Sequence, residues 1–122
     1  MSTSTTADLA LHKEALTKPV DEIASELQEQ LGQRLVAYAT GIRSPRVVGR
    51  WAHGVEPHEQ HALRLRELYR TCLLLEQDFS PTTIRAWLQS ANPDLEDEAP
   101  IQLLRDGNDT VVIRAAQTFR DA

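Results

Sequence analysis

Four arginines lie near the middle of the chain in a segment without acidic residues, and they are well suited to bind a negatively charged ligand. Their segment, residues 33–54, contains no aspartate or glutamate, and its arginines are Arg34, Arg43, Arg46 and Arg50. Guanidinium groups hydrogen-bond to phosphates and to guanine edges, so a helix face that carries them can contact nucleic acid. The whole chain has a formal net charge of −5. The basic segment is therefore a local feature of an acidic protein.

Glycine and proline divide this segment into two short helices. The pattern predicts a first helix over Gln33–Thr40, which Gly41 ends, one residue earlier than is usual for a turn glycine. Ser44 is predicted to cap the second helix, with Pro45 as its first residue and Gly54 after its end. Two short helices joined by a glycine-containing turn indicate a helix-turn-helix.

The second helix carries two faces with different chemistry. Helical spacing places Val48 and Trp51 on a face that can pack against the preceding helix, and Arg46 and Arg50 on another. Gly49 shares the arginine face, where we expect it to allow the close approach of a backbone. A recognition helix needs this division, because its basic face enters the major groove. The predicted DNA-binding residues are Arg43, Ser44, Arg46 and Arg50.

The remaining sequence also predicts helices, with an apolar stripe on each. The predicted segments are Val20–Leu31, a long helix from Glu59 with Leu65, Leu68, Cys72, Leu75 and Phe79 in its stripe, a helix capped by Ser80, a turn at Asn92-Pro93-Asp94, Ala99–Arg105 and Asp109–Arg120. We therefore expect an all-α protein. Its expected parts are a flexible segment over residues 1–18, mobile above all over Met1–Thr6, a helix-turn-helix domain over residues 19–57, and a small C-terminal helical domain over residues 58–122.

The residues give little support for catalysis or metal binding. The chain has one cysteine, Cys72, which we expect to be a buried apolar residue in a reducing, cytoplasmic compartment. His58 and His61 lack further ligands to complete a metal site, and no phosphate loop or nucleophile motif is present. No apolar run approaches the roughly 20 residues that a membrane span requires. We expect a protein that is not an enzyme and binds no metal or cofactor.

The order of the motifs resembles that of the Xre/MbcA/ParS-type antitoxins over residues 20–120. The first part of the resemblance runs from Ser44-Pro45-Arg46 through Arg50-Trp51 to Gly54. The second part comprises Ala86-Trp87-Leu88, Asn92-Pro93, Pro100-Ile101-Gln102-Leu103-Leu104, Gly107, Val111-Val112 and Ala115-Ala116. The family usually has glycine between the Asn-Pro turn and the Pro-x-x-Leu-Leu segment, whereas residues 95–99 are acidic in this chain.

The resemblance implies a type II antitoxin whose partner is a RES-domain toxin, an enzyme that consumes NAD. The antitoxin's C-terminal region would cover the toxin's active-site cleft, and the antitoxin itself would bind no NAD. The toxin-binding positions that this implies are Arg105, Asp106, Asn108, Arg114, Gln117, Arg120 and Ala122. Operator DNA and a second copy in a homodimer are the other expected partners.

Two alternatives remain open at this point. In one, the protein is a free-standing helix-turn-helix transcription regulator whose C-terminal helices only dimerise. In the other, the helix-turn-helix is a scaffold that touches no DNA, and its arginines are simply solvated.

Overall fold

The fold is a succession of helices in a computed structural model that describes the backbone of residues 2–122 and the side chains of residues 6–122. The eight α-helices are α1 Ser2–Thr17, α2 Val20–Leu31, α3 Gln33–Thr40, α4 Arg46–Ala52, α5 Glu59–Leu75, α6 Pro81–Gln89, α7 Pro100–Arg105 and α8 Asp109–Asp121. One 3₁₀ turn, Pro93–Leu95, lies between α6 and α7. Residues 2–122 contain no β-strand, only an isolated bridge between Asn92 and Glu98. The predicted all-α class is confirmed.

Helices α2, α3 and α4 form the predicted helix-turn-helix part. The predicted bounds of α2 and α3 match the structure, but α4 begins at Arg46 and no side chain caps it. The prediction that Ser44 caps this helix is therefore wrong. The physical reason is that the Val47 N–H bonds to the Ser44 carbonyl oxygen at 3.1 Å, so the backbone itself satisfies this donor.

Helix α5 is the centre of the core. It packs against α1, α2, α3, α7 and α8, and its predicted stripe is buried at Leu65, Leu68, Cys72 and Leu75. Each of the eight helices contributes buried apolar residues to one continuous cluster. The two regions predicted from the sequence, residues 19–57 and 58–122, thus share a core, and their division is a hypothesis about function.

The connections in the C-terminal half follow local turn chemistry. The Ser80 hydroxyl accepts the Thr83 N–H at 3.3 Å, and Pro81 is the first residue of α6, as predicted. The Asn92 side chain accepts the Asp94 N–H at 2.9 Å and closes the predicted turn. Glu96 and Asp97 then adopt φ angles of 55° and 66°. That left-handed backbone is one that favours glycine, although this chain has two acidic residues there.

Helix α1 is the largest difference from the sequence-based expectation. The flexible segment predicted over residues 1–18 is instead a helix from Ser2 to Thr17 that packs against α5. Its Ala15 side chain is buried. The Arg66 guanidinium on α5 donates to the carbonyl oxygens of Ala15 and Lys18 at 3.0 and 2.8 Å. The carbonyl groups at the C-terminal end of a helix have no N–H partner within that helix. Arg66 therefore supplies hydrogen-bond donors to the C-terminal end of α1.

The prediction that Met1–Thr6 is mobile falls mainly on residues whose side chains are not described. Met1 and the side chains of residues 1–5 lie outside the described residues.

Candidate nucleic-acid and partner interfaces

The apolar face of α4 holds this helix firmly against the domain. The side chains of Val48 and Trp51 are 0% and 2% exposed, and α4 packs against α2 and α3. The packing face predicted from helical spacing is therefore confirmed. Both anchors point inward, whereas Arg46 and Arg50 on the same helix are exposed to solvent.

Trp51 also connects α4 to the central helix. Its ring stacks on the imidazole of His61 in α5, with 6.1 Å between ring centroids and 28° between ring planes. The His61 Nδ1 atom is buried without a hydrogen-bond partner. Burial lowers the pKa of His61, and the neighbouring His58 ring lowers it further. The neutral imidazole is the form that suits this apolar contact.

The four residues predicted to contact DNA form what we call the recognition face, which comprises Arg43, Ser44, Arg46 and Arg50. All four are exposed. Within the described part of the chain, none of their side chains takes part in a hydrogen bond or an ion pair. The structure thus presents three guanidinium groups and a hydroxyl on the turn and on α4, free for a ligand.

The turn that leads into α4 is longer than is usual for a helix-turn-helix. Gly41 ends α3 with φ +82°, and the Ile42 N–H bonds back to the Ala37 carbonyl oxygen at 2.9 Å. Residues 41–45 then connect the two helices, whereas a turn of about three or four residues is common. The early position of Gly41 in the sequence is the cause of this extra length.

Gly49 has a different surrounding from the one expected. A Cβ atom added at Gly49 would lie 2.8 Å from Nε2 of Gln33, which donates to Oε1 of Gln28 at 2.9 Å. The close approach that Gly49 permits is therefore with α2 and α3 of the same chain. Its small size leaves room for the end of the flexible Gln33 side chain, and its expected role toward an approaching ligand stays a prediction.

The first group of predicted toxin-binding residues lies at the end of α7 and is connected to α3. The Arg105 guanidinium donates to the Tyr38 carbonyl oxygen at 3.0 Å and lies over the Tyr38 ring, 4.7 Å from its centroid. The Tyr38 hydroxyl donates to Oε1 of Gln102. The Gln102 amide in turn donates to both carboxylate oxygens of Asp106 at 3.2 Å. Arg105 thus holds α7 against α3.

A second group faces α1. The Gln117 amide donates to Oδ2 of Asp8 at 3.0 Å. Arg120 forms ion pairs with Asp78 at 3.0 Å and with Asp8 at 3.4 Å. These contacts fasten α8 to α1 and to the segment that follows α5.

The remaining predicted positions, Asn108, Arg114 and Ala122, are exposed. In the described residues, the Arg114 guanidinium has no hydrogen bond or ion pair. The structure therefore divides the predicted toxin-binding residues among three surroundings. It does not unite them in a single cluster.

Sequence reasoning missed the residues that hold these groups, namely Tyr38, Gln102 and Asp8. Tyr38 is an aromatic residue that is 39% exposed. A tyrosine on the polar side of the predicted α3 could have indicated a contact with another part of the chain. Asp8 gave no such signal, because the apolar residues of α1 are spread around the helix and form no stripe.

Reactive groups elsewhere in the structure offer little chemistry. Cys72 is buried, and burial raises the pKa of its thiol, which keeps it protonated and unreactive. Among the described residues no group of three or more His, Cys, Asp or Glu side chains could hold a metal ion. No helix in that same part of the chain is long and apolar enough to cross a membrane.

Comparison with known proteins gives one informative match. No protein-family model matches the chain, and no curated protein matches it. Among solved structures, the chain is similar to a chain in the crystal structure of the M. tuberculosis MbcT–MbcA toxin–antitoxin complex. The match has a TM-score of 0.71 and 29% sequence identity, and it covers 83% of this chain and 93% of the other. The structure thus confirms the resemblance to the MbcA-type antitoxins.

Proposed function

We propose that this chain is a type II antitoxin that neutralises a RES-domain, NAD-consuming toxin by covering its active-site cleft. The observation that carries the proposal is the similarity to a toxin–antitoxin complex over most of both chains. The chain needs no cofactor for this role.

The C-terminal positions differ in how easily a partner can use them. Arg114 is exposed and its guanidinium is free, so a toxin carboxylate can pair with it without breaking a contact. Asn108 and Ala122 are exposed as well. Gln117 and Arg120 already hold Asp8. We therefore expect Arg114 to contribute more to toxin binding than Arg120.

The test of neutralisation is co-expression with the product of the adjacent gene in a bacterial host. We expect that product to stop growth and deplete NAD when expressed alone, and this chain to restore both. The point variant Arg114→Glu is expected to weaken rescue, whereas Lys13→Glu, an exposed residue on α1, is the matched charge-reversal control. A harmless neighbouring gene product would contradict the antitoxin proposal.

We further propose that the recognition face binds the operator of the protein's own gene. The support is physical: the arginines are exposed, form no hydrogen bond or ion pair with any described side chain, and are located in an acid-free segment. A homodimer would present two such faces to paired half-sites. Binding to the promoter fragment should weaken steeply as salt rises, because bound guanidinium groups displace counterions from phosphates. No binding at low salt would remove DNA from the proposal and leave neutralisation intact.

A free-standing transcription regulator is the second candidate function. The free arginines of the recognition face favour it as much as they favour operator binding by an antitoxin. The two functions separate in the growth test, since a regulator without a toxin partner rescues nothing. If Arg46→Glu and Arg50→Glu change neither DNA binding nor repression, the helix-turn-helix is a scaffold only.

A further inference from the structure

An apolar groove of about 430 Å³ opens where the helix-turn-helix meets the C-terminal helices. It is bounded by α2 and α3 on one side and by α6 and α7 on the other. Its lining residues are Leu31, Arg34, Leu35, Tyr38, Gln89 and Ile101. The groove is separate from the recognition face and from the exposed C-terminal positions described above.

Arg34 is the charged side chain among the residues that line this groove, and the Asp106 carboxylate near its Tyr38 side is held by the Gln102 amide. No carboxylate lines it, although the chain as a whole is acidic. Arg34 is exposed, and its guanidinium has no hydrogen bond or ion pair to any described residue. Arg105 does not line the groove itself but lies over the ring of the lining residue Tyr38, and it uses one guanidinium nitrogen to bind the Tyr38 carbonyl oxygen. Since a guanidinium has five N–H donors, Arg105 can still bind an anion.

We propose that this groove receives a segment of the protein partner that carries an apolar side chain next to a carboxylate. Leu35 and Ile101 would bury the apolar side chain, while Arg34 and Arg105 would pair with the carboxylate at the rim. A paired arginine and carboxylate next to an apolar floor form stronger contacts than the same pair in open water. The inference rests on the proposed antitoxin function and extends the toxin contact from α7 and α8 to α3.

A protein segment fits the groove better than nucleic acid. A phosphate backbone gains from open rows of cations, and it gains nothing from the apolar floor that Leu31, Leu35 and Ile101 provide. The arginines of the recognition face lie on the turn and on α4 instead. Nucleic acid at the groove is therefore an outcome that the experiment must be able to detect.

The test measures binding of the full-length chain to the purified product of the adjacent gene. We expect Arg34→Glu to raise the Kd at least about tenfold, because it replaces an attractive charge with a repulsive one. Lys13→Glu makes the same change of charge on the exposed side of α1 and should leave the Kd unchanged. Equal weakening by both variants would mean a general charge effect and would overturn the proposal.

A photo-crosslinking residue identifies what occupies the groove. Gln89 lines the groove and is exposed, so Gln89→p-benzoylphenylalanine should crosslink to the partner protein in the complex. The same replacement at Lys13 is the control. A crosslink to a second copy, to promoter DNA or to nothing would overturn the proposal.

Failure of this inference can be told apart from failure of the proposed function. If the natural chain neutralises and binds the neighbouring protein but Arg34→Glu binds equally well, only the groove proposal is wrong. If the natural chain itself neither binds nor rescues growth, the antitoxin function fails and the groove proposal falls with it.

Discussion

Two sets of basic side chains in this protein have opposite surroundings. On the recognition face, Arg43, Arg46 and Arg50 are exposed and have no internal partner among the described residues. At the α1 seam, which we define as the contact of α1 with α5 and α8, Arg66 and Arg120 are held by carbonyl oxygens and carboxylates. The first set contributes little to the fold and is available to a ligand. The second set holds a helix in place, and a partner could use it only by breaking existing contacts.

Lys18, directly after α1, is a third basic residue whose side chain is held by internal hydrogen bonds. Its ammonium group donates to Glu26 at 2.7 Å and to the Tyr69 hydroxyl at 2.8 Å. The hydrogen bond to Glu26, followed by that to Tyr69, raises the pKa of Lys18. Burial raises the pKa of Tyr69 to about 12. A charged lysine therefore joins α1, α2 and α5 at any physiological pH.

The largest effect should come from removing the inward face of α4. We expect Trp51→Ala to destabilise the protein by about 3–5 kcal/mol, because it removes a buried aromatic ring and its stack on His61. Urea denaturation measures this change. Val55→Ala, at a residue that is 53% exposed, is the control and should stay within about 0.5 kcal/mol. If both substitutions changed the free energy of unfolding by equally small amounts, α4 would not be anchored through Trp51.

Charge reversal on the outward face of α4 should separate binding from folding. We expect the double variant Arg46→Glu, Arg50→Glu to weaken binding to the promoter fragment about one hundredfold or more. Its urea midpoint should hardly change, because neither side chain has a hydrogen bond or ion pair within residues 6–122. Arg114→Glu, at another free and exposed arginine, should leave DNA binding unaffected. A similar loss of DNA binding in the double variant and in Arg114→Glu would mean that the overall charge, and not the recognition face, determines binding.

At the α1 seam the opposite result is expected. Arg120→Ala should lower the free energy of unfolding by about 1 kcal/mol, because it breaks the partly exposed ion pairs with Asp8 and Asp78. Arg114→Ala removes an arginine of the same helix that has no such pair and should be close to neutral. Measurements at low and high salt would show the Arg120 effect shrinking as salt screens the pairs.

The smallest effect concerns pH. Burial acts to raise the pKa of Glu26, but hydrogen bonds from Lys18 and Tyr69 outweigh it and lower that pKa on balance. A pKa lowered by folding stabilises the native state above the ordinary glutamate pKa, and this stabilisation is lost as the pH falls through the lowered value. Glu26→Gln should therefore cost at most about 1 kcal/mol at neutral pH, since its carboxylate is half exposed.

Urea curves of the natural chain and of Glu26→Gln at neutral pH and at about pH 3 would measure this difference. The two proteins should converge at the lower pH. A difference that stays constant across this range would mean that Glu26 stabilises the fold by packing and not by charge.

Helices α2 and α3 could be predicted from the sequence because their signals are local. Apolar residues at a period of 3.6 mark the buried face, and Gly32 and Gly41 mark where each helix ends. The same logic found the Ser80 cap and the Asn92 turn. It misplaced the Ser44 cap, since a serine before a proline is compatible with either a side-chain or a backbone bond.

The amino-acid order alone thus determined the helical class, the bounds of most helices and the separation of the arginine-rich helix into an apolar and a basic face. Each of these follows from neighbours within a few positions along the chain. Only the folded chain decided that residues 2–17 form a helix, that Gly49 packs on Gln33, and that Arg105 reaches back to Tyr38. These features depend on partners that are distant in sequence. Such contacts stabilise the protein only after folding has brought the partners together, so no local pattern in the sequence marks them.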